Sequence, residues 1–157
     1  MTGRGCIGCG MWGRTLARNL AALGCLAAVA DRHTNRADAF AAEFGTDSRS
    51  VDDLLTGDGL DGVVVASAAP THAELACRAL ASGRHVYVEK PFAMTLEEAE
   101  TMAAAASVNG RQLMVGHLIR HHDAFCELQE QVASGVIGEL RHVTANRLAM
   151  GRIRATE

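Results

Sequence analysis

No basic excess marks this sequence. Its 15 lysines and arginines are outnumbered by 18 aspartates and glutamates, for a net charge of −3, whereas a nucleic-acid surface shows clustered positive charge. No nucleic-acid partner is expected. Nor does any apolar run approach the roughly 18 residues that a membrane-spanning helix needs, so no membrane partner is expected either. A disulfide framework is also missing: five cysteines, an odd number without disulfide-like spacing, fit a reducing compartment and predict a cytoplasmic protein. Low-complexity and collagen-like composition are absent. With 48% hydrophobic and 21% charged residues the chain has the make-up of an ordinary globular domain, and at this length it buries roughly 70% of its unfolded surface. What remains is small-molecule chemistry. One stretch imitates a secretion signal, with Arg14 and Arg18 before "LAALGCLAAVA" and Ala28-Val29-Ala30 as a cleavage-like end. The same residues fit the pattern below better, so no leader is expected.

From Gly13 onward, Ala/Leu/Glu-rich stretches of helical length alternate with short apolar runs, and glycine separates them. The runs are "GCI" (5–7), "CLAAVAD" (25–31), "DGVVVAS" (61–67), "HVYVE" (85–89) and "QLMVG" (112–116). Strands apolar on both faces suit a buried parallel sheet. "TDSRS" (46–50) stands where a further strand would fall but is too polar to assign. Ser50-x-x-Asp53, Thr71-x-x-Glu74 and Thr95-x-x-Glu98 read as capping boxes at helix starts, and Gly24, Gly45, Gly83 and Gly110 stand at C-cap positions. The expected fold is α/β: a doubly wound parallel (Rossmann) sheet over residues 1–117, with helices on both faces. Over 118–157 the texture changes, to a helix from about His122 to Ser134 ended by Gly135, then the alternating "GELRHVTANRL" of a half-buried strand. This reads as the start of an incomplete α+β domain, and a strand without sheet partners invites self-association, so a homo-oligomer is expected.

"GCIGCGMWGRTLARNL" (5–20) admits two readings. As Gly8-x-Gly10-x-x-Gly13, the glycines allow a tight turn, close backbone approach to a pyrophosphate and close helix–strand packing. The phosphates then rest at the helix N-terminus, against the N–H groups of the loop and of Met11 and Trp12, where free donors and the helix dipole favour anions. The fingerprint follows an apolar run, opens a helix, and is followed by Asp31 at the end of the next run, as dinucleotide binding requires. As Cys6-x-x-Cys9, the same segment needs a second ligand pair for zinc or an exposed dithiol, and no second pair exists. Two small buried hydrophobes are the plainer account of these thiols. Asp31 accepts hydrogen bonds from a ribose diol and repels a 2′-phosphate, favouring NAD over NADP; Arg32 pulls the other way, since a guanidinium stacks on adenine or meets a 2′-phosphate.

"VEKP" (88–91) and "GHLIRHH" (116–122) complete a set that resembles the Gfo/Idh/MocA family of NAD(P)-dependent oxidoreductases. "APTHAELA", "GRHVYVEKPFAMTLEEAE", "LMVGHLIRHH" and "NRLAMGRIR" look most like its nucleotide-sugar branch, which oxidises the 3-hydroxyl of UDP-N-acetylated hexoses or their uronic acids. The resemblance implies that Lys90 is catalytic and touches substrate, and that Glu89, Ser67, Pro70 and His72 line the cofactor site. It also implies that His117 and Arg120 face the substrate. Independently, Lys90 follows a strand at the carboxyl edge where open α/β sheets bind ligands. A cis peptide before Pro91 is a further family expectation. The family's usual Thr-Pro is here Ser67-Ala68, and its long Val/Ile-rich first strand is here preceded by "MTGRG", predicting a weaker sheet centre. His117 and His121, four apart, could share a helix face as metal ligands do, but without an obvious third ligand no metal is expected. Hydride transfer from a nucleotide-sugar hydroxyl to NAD is the resulting expectation; the alternatives are a non-catalytic NAD-binding module and a thiol-redox protein.

Overall fold

The computed structural model describes residues 3–146 and Leu148. They fall into two compact units that part between His117 and Leu118. The first is a six-stranded sheet built from β1 (Gly3–Ile7), β2 (Leu26–Ala30), β3 (Asp47–Ser48), β4 (Leu60–Val65), β5 (His85–Val88) and β6 (Leu113–Val115), in the order β3-β2-β1-β4-β5-β6. Every pairing is parallel. The crossovers are α1 (Met11–Ala22), α2 (Thr34–Phe44), α3 (Val51–Thr56), α4 (His72–Ala81) and α5 (Leu96–Val108). This is the doubly wound α/β fold expected from the sequence.

Successive strand residues serve opposite faces, so each strand must be apolar throughout. Ile7, Ala28, Ala30, Val63, Val65, Val86 and Val88 pack on one side with Leu54, Leu55, Leu75, Leu80 and Met102. Cys6, Val29 and Val64 pack on the other with Ala17, Ala37 and Phe40 from α1 and α2. In α4 the buried positions are His72, Leu75, Ala76, Ala79 and Leu80, the spacing of a single helical stripe. Arg84 is buried without a carboxylate partner; its guanidinium donates to the carbonyls of Leu55 (2.8 Å), Gly57 and Leu60, and so fixes the turn between α3 and β4.

Three expectations meet the structure here. β1 is five residues long and pairs on both sides, with its register shifting at Gly3–Gly5, within the glycine-rich start; Gly5 leaves room for Leu54, whose Cδ2 would lie 2.7 Å from an added Cβ. The polar "TDSRS" does contribute a strand, β3, because pairing to Ala28 and Val29 uses only backbone. Ser50 and Thr95 cap α3 and α5, accepting from Asp53 N at 3.0 Å and Glu98 N at 3.1 Å, but Thr71 does not cap α4. A 3-10 turn over Ala69–Thr71 runs directly into α4, and the Thr71 hydroxyl instead donates to Ala68 O at 2.8 Å.

In the second unit a 3-10 turn (Leu118–His121) leads to α6 (Asp123–Ala133), capped by His122, whose Nδ1 accepts from Ala124 N at 3.2 Å. The strand expected at 138–148 is not formed in the residues described there: 138–146 and Leu148 are exposed and carry no regular structure. Arg147 and the rest of "NRLAMGRIR" beyond Leu148 lie outside the described residues. No helix among those described is long and apolar enough to cross a membrane.

Candidate functional site

The strand order reverses beside β1, where the chain leaves for β2 on one side and β4 lies on the other. In open α/β sheets ligands bind in the crevice outside the carboxyl edge at such a reversal. The loop after β1 fills its floor. Gly8 has φ +105°, and a Cβ there would meet Ala66 O at 2.5 Å. At Gly13 a Cβ would lie 1.8 Å from Gly8 O, so helix and loop touch backbone to backbone. Gly10 differs: nothing stands within 4 Å of its would-be Cβ. That open space lies directly over the start of α1, whose N-cap, Gly10, supplies no capping side chain. The first intrahelical bond is Arg14 N to Gly10 O at 2.9 Å, which leaves the N–H groups of Met11, Trp12 and Gly13 to an external acceptor. Met11 and Trp12 are exposed around it.

Asp31, one residue beyond β2, locks onto this loop. One carboxylate oxygen accepts from Cys9 N at 2.8 Å and the other from His33 N at 2.9 Å. Arg32 points away and donates from Nε to His33 Nε2 at 3.0 Å. The two cysteines face inward, Cys6 fully buried and Cys9 5% exposed, with Cys9 Sγ against Ala30 O. Burial, chiefly, pushes both thiols up to about 12, with mutual repulsion adding to Cys6 and the Asp31 carboxylate adding to Cys9 against a smaller opposing effect of Arg36. A dithiol with both members protonated and covered is a poor redox centre, so the glycine reading prevails.

The next two strands bring the remaining residues to the same edge. Glu89, Lys90 and Pro91 follow β5, with a cis peptide between Lys90 and Pro91. Lys90 is exposed, whereas Glu89 is buried and turned inward, accepting from Tyr87 Oη at 3.1 Å and from Lys90 N at 3.1 Å. The Tyr87 hydroxyl is pushed up to about 12, first by partial burial and then by that carboxylate. At Gly116, after β6, a Cβ would stand 2.6 Å from Tyr87 Oη and 2.8 Å from Glu89 Oε1, so the ends of those two side chains would have to shift. Ser67 follows β4 half-buried, its hydroxyl 2.7 Å from that of Thr71; Pro70 is exposed in the 3-10 turn. His117 is exposed just past β6.

Two expectations are redrawn by these contacts. His72, expected against the cofactor, is 1% exposed with both ring nitrogens against backbone carbonyls, so it offers the crevice no atom. Glu89, also buried, holds the backbone of Lys90 instead of facing outward. Tyr87 and Gly116 were missed, since a hydroxyl in a strand and a glycine after one carry no signal until their registers are known. Arg120 belongs to the second unit, where it is exposed and its carbonyl accepts from Cys126 Sγ at 3.6 Å. His121 lies in a 3-10 turn, Leu118–His121, and not in the α-helix that an i, i+4 ligand pair would need. Among the described residues no cluster of three His, Cys, Asp or Glu could hold a metal. An apolar groove of about 450 Å³, walled by Leu16, Leu20, Val64 and Met114, reaches the opposite edge at Arg4, Gly62 and His85 and so stands apart from this crevice.

A curated relative, the dTDP-3,4-didehydro-2,6-dideoxy-alpha-D-glucose 3-reductase of Actinomadura kijaniata, is 36% identical over 90% of this chain and 44% of its own length. The UDP-N-acetylglucosamine 3-dehydrogenase of Acidithiobacillus ferrooxidans is 34% identical over 98% of this chain and 47% of its own length. A solved 3-ketoreductase from Actinomadura kijaniata, in complex with TDP-benzene and NADP, superposes with a TM-score of 0.78 at 34% identity, covering 88% of this chain and 46% of that one. The chain thus spans about half the length of the relatives it matches. Residues 3–117 match the family model described as oxidoreductase family, NAD-binding Rossmann fold, and the chain belongs to that Gfo/Idh/MocA family.

Proposed function

We propose that this chain is the cofactor-binding part of an NAD-dependent dehydrogenase acting on a nucleotide sugar, at C3 of a UDP-N-acetylated hexose or uronic acid. The observation that carries the proposal is the open ground above Gly10, bounded by an uncapped helix start and by Asp31 and placed on the same sheet edge as Lys90. The pyrophosphate sits against the N–H groups of Gly10 to Gly13, where the helix dipole favours it. Asp31, its two oxygens already fixed by Cys9 and His33, presents a rigid carboxylate to the adenosine ribose and disfavours a 2′-phosphate. A bound nicotinamide supplies the two-electron acceptor. Ser67 and Pro70 border its ribose, and Lys90 Nζ holds the reacting hydroxyl and handles its proton. His117 and Arg120 contact the sugar. Support for the substrate class comes from two relatives named for reactions at the 3-position of nucleotide sugars.

Calorimetric titration of the folded chain with NAD and, separately, with NADP tests the cofactor site: tighter NAD binding is expected, and equal affinity would remove Asp31 as the discriminator. Substrate-dependent NAD reduction, assayed with Lys90→Ala alongside, tests the chemistry. Turnover retained in that variant would sink the role of Lys90, and binding without turnover by the unaltered chain would leave the module reading in place.

A further inference from the structure

β4 and β5 are paired up to Val65 and Val88, and one more bond, Glu89 N to Val65 O at 2.9 Å, joins the strands as they end. Beyond it their chains separate. One carries Ser67 into the 3-10 turn, and the other carries Lys90 and Pro91 into the connection to α5. Among the described residues no backbone hydrogen bond joins residues 66–71 to residues 90–92. Among the described residues a single side chain brings polar atoms within hydrogen-bond distance of both sides of the gap. His72, the first residue of α4 and 1% exposed, sets Nδ1 2.8 Å from Pro91 O and Nε2 3.1 Å from Ser67 O.

Both partners are carbonyls, which only accept, so the ring must do the donating. A neutral imidazole has one N–H and donates to only one of the two carbonyls, its bare nitrogen facing the other; only a doubly protonated ring donates to both. In either state the same rigid ring lies between the two carbonyls. We infer that His72 is a positioning residue that couples the Ser67 loop to the Lys90–Pro91 segment and thereby sets the width of the nicotinamide side of the crevice. The inference rests on the cofactor reading above for its functional consequence, but the coupling itself does not. Buried and occupied on both nitrogens, His72 acts on Lys90 only through the backbone of Pro91.

Amide hydrogen exchange on the whole chain, with and without NAD, separates these levels. In His72→Leu, which fills the space without a donor, the hydrogen-bonded amides of Ala66 and Thr71 in one loop and of Glu89 and Lys90 in the other should exchange about tenfold faster together, the loss expected for one hydrogen bond, while Val29 in β2 keeps its protection. NAD affinity should fall by about the same factor. His72→Gln, whose carboxamide nitrogen carries two donors, should recover part of both. Unchanged exchange in both loops of a folded His72→Leu, faster exchange in one loop alone, or a uniform loss of protection including Val29 would each overturn the coupling. Should His72→Leu fail to fold, the same comparison between His72→Gln and His72→Asn, whose shorter side chain reaches one carbonyl at most, decides it: equal loop exchange in the two would overturn it. If the unaltered chain binds no NAD, the cofactor reading fails while the exchange data still judge the coupling.

Discussion

A methyl group added at Gly13 would stand 1.8 Å from Gly8 O, and both atoms that would have to move are backbone. Gly13→Ala should therefore cost about 1–3 kcal/mol as forced overpacking does, read as a lower urea midpoint, and should weaken NAD binding at least tenfold. Binding and midpoint both like the parent would show that α1 can shift without consequence. Beside it, Cys6 and Cys9 are covered and their thiols pushed up to about 12, so neither should react with a thiol reagent at pH 8 in the native state, while exposed Cys126 should react fully. Rapid labelling of Cys6 would contradict the packing of the β1 loop. At this scale the sequence was legible where chemistry is local. The glycines and Asp31 announce themselves by spacing, because a tight turn admits few residue types. The inward turn of Glu89 and the double contact of His72 were not legible, since each depends on a partner brought in by the fold: Tyr87 across one pleat, and Pro91 from another strand.

Caps offer a comparison between elements. Ser50 and Thr95 each accept from a backbone N–H three residues on, so Ser50→Ala and Thr95→Ala should each cost about 1 kcal/mol of stability. Thr71→Ala removes no cap from α4; it breaks the hydroxyl contact to Ser67 and the bond to Ala68 O. Its effect should appear in cofactor affinity more than in the thermal midpoint, as paired calorimetry and melting curves would show. A Thr71→Ala midpoint lowered as far as that of Ser50→Ala, with affinity unchanged, would mean that the hydroxyl is structural only. The three capping signatures are alike in sequence and differ because the turn over Ala69–Thr71 already delivers helical geometry to the start of α4. β3 was hidden for the opposite reason. An edge strand of two exposed residues needs backbone alone, and hydrophobic patterning says nothing about backbone.

For the whole molecule, buried thiols link folding to alkali. Cys6 moves from an ordinary value of 9.0 to about 12, so between those values the folded chain holds a proton that the unfolded chain has released. By linkage the stability from this group is intact below pH 9 and declines as pH rises through that window, by up to about 1.4 kcal/mol per pH unit. Cys9 and Tyr87 shift in the same direction. Urea midpoints should hold steady from pH 7 to 9 and then fall, and Cys6→Ala should flatten the decline; a parent curve flat to pH 11 would refute the burial of these groups. The doubly wound parallel sheet followed from alternating texture and right-handed crossovers, whereas neither its sixth strand nor its order did, and the strand expected at 138–148 is absent from 138–146 and Leu148. The order β3-β2-β1-β4-β5-β6 also imposes a schedule on biosynthesis. Ile7 finds Ala30 early, but its other neighbour is Val65. Until that stretch has left the ribosome, the first strand of the nascent chain stays bare along one side, and the cofactor loop that follows it has no floor to rest on.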